Sequence, residues 1–285
     1  RSTLFPYTTL FRSFDEAYWL KKDKEGGYPA DFHRALADAG WLGICIPEEY
    51  GGSGLGITDA AIMMRTISES GAGMSGASAV HMNVFGLNPV VVFGTKEQCQ
   101  RMLPPIIDGR DKSCFAVTEP NTGLNTTQLK TRAVRQGDKY IVNGQKVWIS
   151  TAQVANKILL LARTTPLEEV RSPTHGLSLF YTDFDRKRVT VHEIEKMGRK
   201  PVDSNELFFE NFEIPVEDRI GEGHFREDLF YRLNVFPIEM PALRERRDDL
   251  QELVRTIADQ LARNGRGEIR FAAETLDALA GYAWP

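Results

Sequence analysis

Two short segments carry residue types that can hold a flat heteroaromatic ring with polar edges. The first, Cys114-Phe-Ala-Val-Thr-Glu-Pro-Asn-Thr-Gly123, is an apolar run ending in a hydroxyl, a carboxylate, a proline and a glycine. A strand that ends at Phe115–Thr118 can offer backbone N–H groups and the Thr118 hydroxyl to a ligand's polar edge. In the second, Lys146-Val-Trp-Ile-Ser150, Trp148 can cover a ring face and Ser150 can donate a hydrogen bond. Alone, Trp148 reads as a core aromatic and Thr118-Glu-Pro as a turn. Both together, in this order, read as a site.

The elements that must position these residues change character along the chain. The N-terminal part reads as helices. Asp31 can cap a helix carrying Phe32, Leu36 and Ala39, with Gly40 as its stop. Thr58 or Asp59 opens a second, with Ile62, Met63 and Ile67 before Ser70-Gly71. Residues 71–93, rich in Gly, Ala and Ser, suit close helix packing. Thr95 and Gln98 form a capping-box pattern for a helix running towards Leu103, where Pro104-Pro105 intervene. Alternation then replaces the helical period. Strands are expected at Ser113–Thr118, Leu129–Arg135, Lys139–Val142, Lys146–Ile149, Ile158–Ala162, Leu177–Tyr181, Val189–Val191 and Glu206–Phe212, ending near Pro215. Asn143-Gly144 predicts a hairpin turn within them. Beyond Gly223, Leu250, Leu253, Val254, Ile257 and Leu261 follow helical spacing, and Leu276 and Leu279 point to another helix.

Bulk properties narrow the function classes. With 285 residues the chain has room for about two domains. A formal charge of −4 offers no basic footprint for nucleic acid. The longest apolar runs, around Ile158–Ala162 and Val90–Phe93, are far shorter than the ~20 residues of a membrane span. No signal peptide or lipidation motif is visible, and a cytoplasmic location is expected. Cys45, Cys99 and Cys114 show no metal-ligand spacing and are expected as buried reduced thiols. The five histidines (His33, His81, His175, His192, His224) are expected at surface or packing positions.

The two ring-binding segments, with Gly94-Thr-Lys-Glu-Gln98 and Asn143-Gly-Gln-Lys146, resemble the acyl-CoA dehydrogenase family over residues ~14–222. The resemblance implies an N-terminal helical domain, a middle β domain and bound FAD. It places the flavin contacts at Phe115, Ala116, Val117, Thr118, Gly123, Leu124, Trp148, Ile149 and Ser150. It also implies an acyl-CoA substrate, α,β-dehydrogenation, and electron-transfer flavoprotein or a similar acceptor as partner. Where many family members carry Ser-Asp after the glycine, this chain has Leu124-Asn125, so the side-chain contact to substrate there is in question. The family's base is a glutamate of a C-terminal helical domain. Glu119, tied into the turn, is not that base, no catalytic residue is nominated, and the dehydrogenase is expected to be incomplete.

The segment His224–Pro285 resembles the AAA+ ATPase domain of sigma-54-dependent transcription activators. Arg226 and Arg232 fall on that family's arginine-finger positions. Residues 224–285 contain nine arginines and no lysine, whereas residues 14–223 contain twelve of each. No P-loop occurs anywhere in the chain, so ATP hydrolysis is not expected. A fragment of a sigma-54-dependent regulator and an inert module are the alternatives to the flavin reading. Residues 1–13 are similar to translated adapter or vector read-through. The expected class is α+β: residues 14–112 a helical domain, 113–222 a β-barrel-like domain and 223–285 an appended helical AAA+ fragment, the whole read as a hybrid made in sequence assembly.

Overall fold

A computed structural model describes residues 13–221, 243–262 and 270–283. The chain divides into two units, Arg1–Phe230 and Tyr231–Pro285.

Among the described residues of unit one, six α-helices come first. Helix α1 (Glu16–Glu25) starts at Asp15, whose carboxylate accepts the Tyr18 N–H at 2.9 Å. Its Trp19 is buried, edge-on to Phe32, and donates from its indole N–H to the Phe14 carbonyl at 3.0 Å. Helix α2 (Ala30–Asp38) follows Pro29 rather than being capped by Asp31. Asp31 sits in the first turn instead, where its carboxylate accepts the Tyr18 hydroxyl and stays near the positive end of the helix dipole. Gly40 ends the turn at φ 78°, a left-handed conformation that costs glycine little.

Helix α3 (Ile57–Ile67) begins at Gly56, with Asp59 accepting the Gly56 N–H at 3.1 Å. It buries Ala60, Met63 and Ile67, while Ile62 points outward at 59 % exposure, because helical spacing sets it on the side away from Ala60 and Ile67. Helix α4 (Gly73–Val84) packs closely: a Cβ at Gly76 would stand 2.5 Å from the Ala72 methyl. Helix α5 spans Asn88–Phe93, and α6 (Lys96–Ile107) carries both bonds of the Thr95–Gln98 capping box. Helix α6 continues through Pro104 and Pro105 to Ile107, each proline forgoing one intrahelical bond. The run Ile57–Phe93 is long and apolar enough to cross a membrane, yet it breaks at Gly71 (φ 99°) and most of its apolar window is buried in the protein core.

Eight strands follow: β1 (Ser113–Ala116), β2 (Arg132–Gln136), β3 (Lys139–Ser150), β4 (Lys157–Arg163), β5 (Leu177–Asp183), β6 (Val189–Glu193), β7 (Ser204–Pro215) and β8 (Arg219–Ile220). They form one sheet ordered β6-β7-β3-β2-β4-β5-β8, with β1 parallel on β4. The sheet is open, not the barrel-like closure expected. The only strand pairing between the sheet's two blocks is the single pair Arg132–Arg163 of β2 and β4, and no pairing joins β6 to β8.

Asn143-Gly144 does not turn the chain. The turn lies at Gly137-Asp138, between the paired Gln136 and Lys139, and β3 runs straight through Asn143. The tolerance of Asn143-Gly144 for unusual backbone serves an irregular pairing instead. Register slips between Val142 and Gly144 opposite Asn211, which adopts φ 50° and donates its N–H to the Asn143 side chain at 2.9 Å.

Strand β4 is apolar on both faces. Ile158, Leu160 and Ala162 join the core enclosed by the sheet, and Leu159 and Leu161 pack under α5 and α6. That shared core fixes the helices to the sheet. Gln98 adds two bonds, donating to the Glu217 and Arg219 carbonyls at 2.8 and 2.9 Å.

In unit two, helix α7 (Leu250–Leu261) buries Leu250 and Ala258, and α8 (Ala273–Gly281) follows. The expected helical spacing is present, with Leu253 and Ile257 exposed.

Candidate functional site

The site is built where β1 ends beside the far half of β3. The Thr118 carbonyl accepts the Val147 N–H at 2.9 Å, which brings the two sequence segments together. Beyond it, Glu119 and Thr122 exchange backbone bonds at 3.0 Å and close the Glu119-Pro120-Asn121-Thr122 turn.

Beneath this junction lies a buried ion pair. Lys146, with no exposed surface, donates from Nζ to Glu119 Oε1 at 2.9 Å and to the Val117 carbonyl at 2.8 Å. Glu119 also accepts the Lys130 and Thr131 N–H groups at 2.7 and 3.0 Å. Burial raises the Glu119 pKa, but Lys146 and these donors together outweigh it and hold the carboxyl below its ordinary range. Burial pushes Lys146 down to about 8, against the opposing pull of Glu119. The carboxylate is the better supported partner, with three donors to the ammonium's two acceptors. The side-chain partners of Glu119 are thus Lys146 and two backbone N–H groups.

Trp148 is displayed by a bulge. Register slips between Lys146 and Ile149, so β3 carries one extra residue there, and Trp148 takes φ 63°. A left-handed backbone costs a large aromatic residue ~1 kcal/mol or more, and bulges re-aim side chains near functional sites. The indole is turned out of the core, 62 % exposed.

Several donors near this junction are unspent. Among the described residues, no protein acceptor takes the Val117 or Thr118 N–H or the Thr118 and Ser150 hydroxyls. Gly123 needs no glycine for its own packing: nothing lies within 4 Å of where a Cβ would stand. Such a position leaves the backbone open to close approach. Leu124 is fully exposed, and Asn125, also exposed, accepts the Thr127 hydroxyl at 2.5 Å.

The nine expected contact residues thus fall into distinct groups. Val117, Thr118, Trp148 and Ser150 converge around the Val147–Thr118 bond with free donors or an exposed ring. Phe115 is half-buried on β1. Ala116 and Ile149 have their side chains in the core and could contribute only backbone. Gly123 and Leu124 lie beyond the turn on the surface. Arg226 and Arg232 lie outside the described residues.

Sequence reasoning left two supporting residues unassigned. Lys146 falls in phase with the inward Tyr140 and Val142, and an inward lysine on a strand demands a buried partner. Arg163, 5 % exposed, donates to the Thr127, Pro173, His175 and Thr165 carbonyls at 2.6–3.5 Å. It thereby ties the segment after Leu124 to the β4–β5 connection. Only position in the apolar β4 run could have flagged it.

The other titratable groups take packing roles. Burial pushes the Cys114 thiol up to about 12, and Cys45 and Cys99 are raised by the same cause. His33 is buried and pushed down to about 4 by burial, so it is neutral at pH 7. A groove of about 480 Å³ between α6 and β8 shares no residue with the site.

Comparison with known proteins gives two successive family matches. The family model for the acyl-CoA dehydrogenase N-terminal domain matches residues 12–110, and that for the middle domain matches 114–212. The first match begins inside the segment expected to be read-through, and both end before the segment resembling sigma-54 activators. An acyl-CoA dehydrogenase of Bacillus subtilis is 31 % identical over 222 residues, covering 77 % of this chain and 57 % of its own length. The caffeyl-CoA reductase-Etf complex subunit CarC of Acetobacterium woodii is 32 % identical, covering 70 % and 52 %. The structure of butyryl-CoA dehydrogenase from Megasphaera elsdenii superposes with a TM-score of 0.64 at 25 % identity, over 75 % of this chain and 57 % of that one. The chain spans about half the length of the curated relatives it matches. Through the two domains of residues 12–212, it belongs to the acyl-CoA dehydrogenase family.

Proposed function

We propose that this chain binds FAD at the β1–β3 junction and presents it to an acyl-CoA thioester for α,β-dehydrogenation. The observation that carries the reading is the cluster of unspent donors beside an outward-turned indole. The Val117 and Thr118 N–H groups and the Thr118 hydroxyl suit the polar edge of the ring, Trp148 suits a face, and the Ser150 hydroxyl is a further donor. Donor groups without protein acceptors fit a ring rich in acceptor atoms. FAD supplies a hydride acceptor.

The chain's own residues hold and orient. The Glu119–Lys146 pair keeps the strand end in place, and the bulge at Trp148 exposes the indole. No described side chain is assigned as the base. Leu124, exposed where many relatives carry serine, offers an acyl-CoA only an apolar contact. Electron-transfer flavoprotein is proposed as the redox partner, by likeness to a relative that is a subunit of an Etf complex. No observation favours the ATPase alternative.

Adding FAD to the purified chain tests the reading. Binding is expected to quench tryptophan fluorescence and perturb the flavin band. Trp148→Ala should weaken it by roughly fivefold to a hundredfold, the loss that a stacking energy of ~1–3 kcal/mol implies, while Trp148→Phe retains most of it. Equal binding by the alanine variant and the parent chain would remove Trp148 from the site.

A further inference from the structure

The Lys146 ammonium sits on a peptide whose other face bears one of the unspent donors. Its Nζ donates to the Val117 carbonyl at 2.8 Å, and the next N–H, that of Thr118, has no protein acceptor among the described residues. The Val117–Thr118 peptide is trans, so the Val117 C=O and the Thr118 N–H point in opposite directions. The ammonium lies on the buried side, and the Thr118 N–H is directed away from it. A cation on a carbonyl oxygen draws electron density through the amide and strengthens that amide's N–H as a donor. We propose that Lys146 is a positioning residue which, acting through the Val117–Thr118 peptide, orients and polarises the Thr118 N–H towards the polar edge of the flavin.

This rests on the FAD reading above. Holding the turn alone does not require the contact, since Glu119 is already bound by the Lys130 and Thr131 N–H groups at 2.7 and 3.0 Å. The second acceptor of Lys146 is the peptide that leads to the candidate donor. The charge is also poorly screened there, because Lys146 has no exposed surface. Glu119 is the titratable group whose charge acts on Lys146, and Arg163 in turn feels Glu119.

Two measurements on the full chain decide the proposal. In the FAD-free protein, carbon-detected NMR follows the Val117 carbonyl resonance as pH rises. It should move upfield in one step centred near 8, as Lys146 loses its proton. This needs no variant to fold. With FAD bound, Lys146→Met should lower the flavin reduction potential, because a positive charge that favours the electron-rich reduced ring has been removed. Glu119→Gln should not lower it, since the ammonium remains on the Val117 carbonyl. A purely structural ion pair would make both variants shift together. A Val117 carbonyl that does not titrate overturns the proposal, as does an unchanged potential in Lys146→Met. A chain that binds no FAD overturns the functional reading and this inference with it, whereas binding with an unmoved potential overturns this inference alone.

Discussion

Replacing Arg163 tests whether the segment after Leu124 is held by one buried guanidinium. Arg163 is 5 % exposed and has no carboxylate within ion-pairing distance among the described residues, yet four carbonyls converge on it. The shortest bond, 2.6 Å, goes to Thr127, which also binds Asn125 through N–H and hydroxyl. Arg163→Leu leaves these carbonyls without their donor, at ~1–3 kcal/mol for each well-made buried bond. Three contacts at 3.0 Å or less set the gross loss, and removing a buried charge returns part of it. The net expectation is about 2–4 kcal/mol. Arg163→Lys should be no better, since one ammonium cannot span carbonyls that a planar fork reaches in different directions, and its charge stays buried. Urea unfolding of the FAD-free chain, followed by tryptophan fluorescence, gives the stability change. Hydrogen exchange should show faster amide exchange confined at first to residues 123–131 and 164–176. A lysine variant as stable as the parent, with unchanged exchange in both segments, would refute the reasoning.

Acid should weaken the β1–β3 junction. The folded Glu119 carboxyl titrates below its ordinary value of 4.5, so the native state gives up its proton more readily than the unfolded chain. Its contribution is therefore complete above about 4.5 and lost as pH falls through the lower folded value. Glu119→Gln should flatten that acid limb of the stability–pH curve while costing about 2–3 kcal/mol at pH 7. That is less than the ~3–5 kcal/mol of truncating a buried pair, because the amide keeps one acceptor. Gly144→Ala should destabilise the fold by at least ~2 kcal/mol in thermal or urea unfolding. Its φ of 151° disfavours a side chain, and a Cβ would stand 2.7 Å from the Thr131 Cα. An alanine variant of parental stability would show that β3 can shift there at no cost.

Much of the fold could be read from local patterns, and the differences trace to interactions that are not local. The Thr95–Gln98 capping box was visible because its partners lie three residues apart. The apolar run of β4 was equally plain, since burial on both faces leaves no alternation to misread. Asn143-Gly144 misled because the same tolerance of unusual φ serves a turn or a bulge, and the choice depends on Asn211, far along the chain on β7. Closure of the sheet failed for a comparable reason: β2 and β4 share one residue pair, a detail of register that no alternation encodes.

The candidate site shows the same division with sharper consequences. Residue type and order singled out Thr118, Trp148 and Ser150 as ring contacts without showing how they would be presented. Presentation depends on features with almost no sequence signature. An inserted residue in β3 turns Trp148 outward at a left-handed φ, where a regular strand would have set the register differently. A lysine in phase with the buried positions of β3 finds its carboxylate on a turn 27 residues earlier. Each of these is unfavourable alone: a strained aromatic, a desolvated ammonium, and donors left without acceptors. All three gather at one junction of the sheet, where β1 ends beside β3. Strain gathered around unspent donors is the physical argument behind the proposed ligand site at this junction, and it is drawn from the geometry rather than from the family likeness.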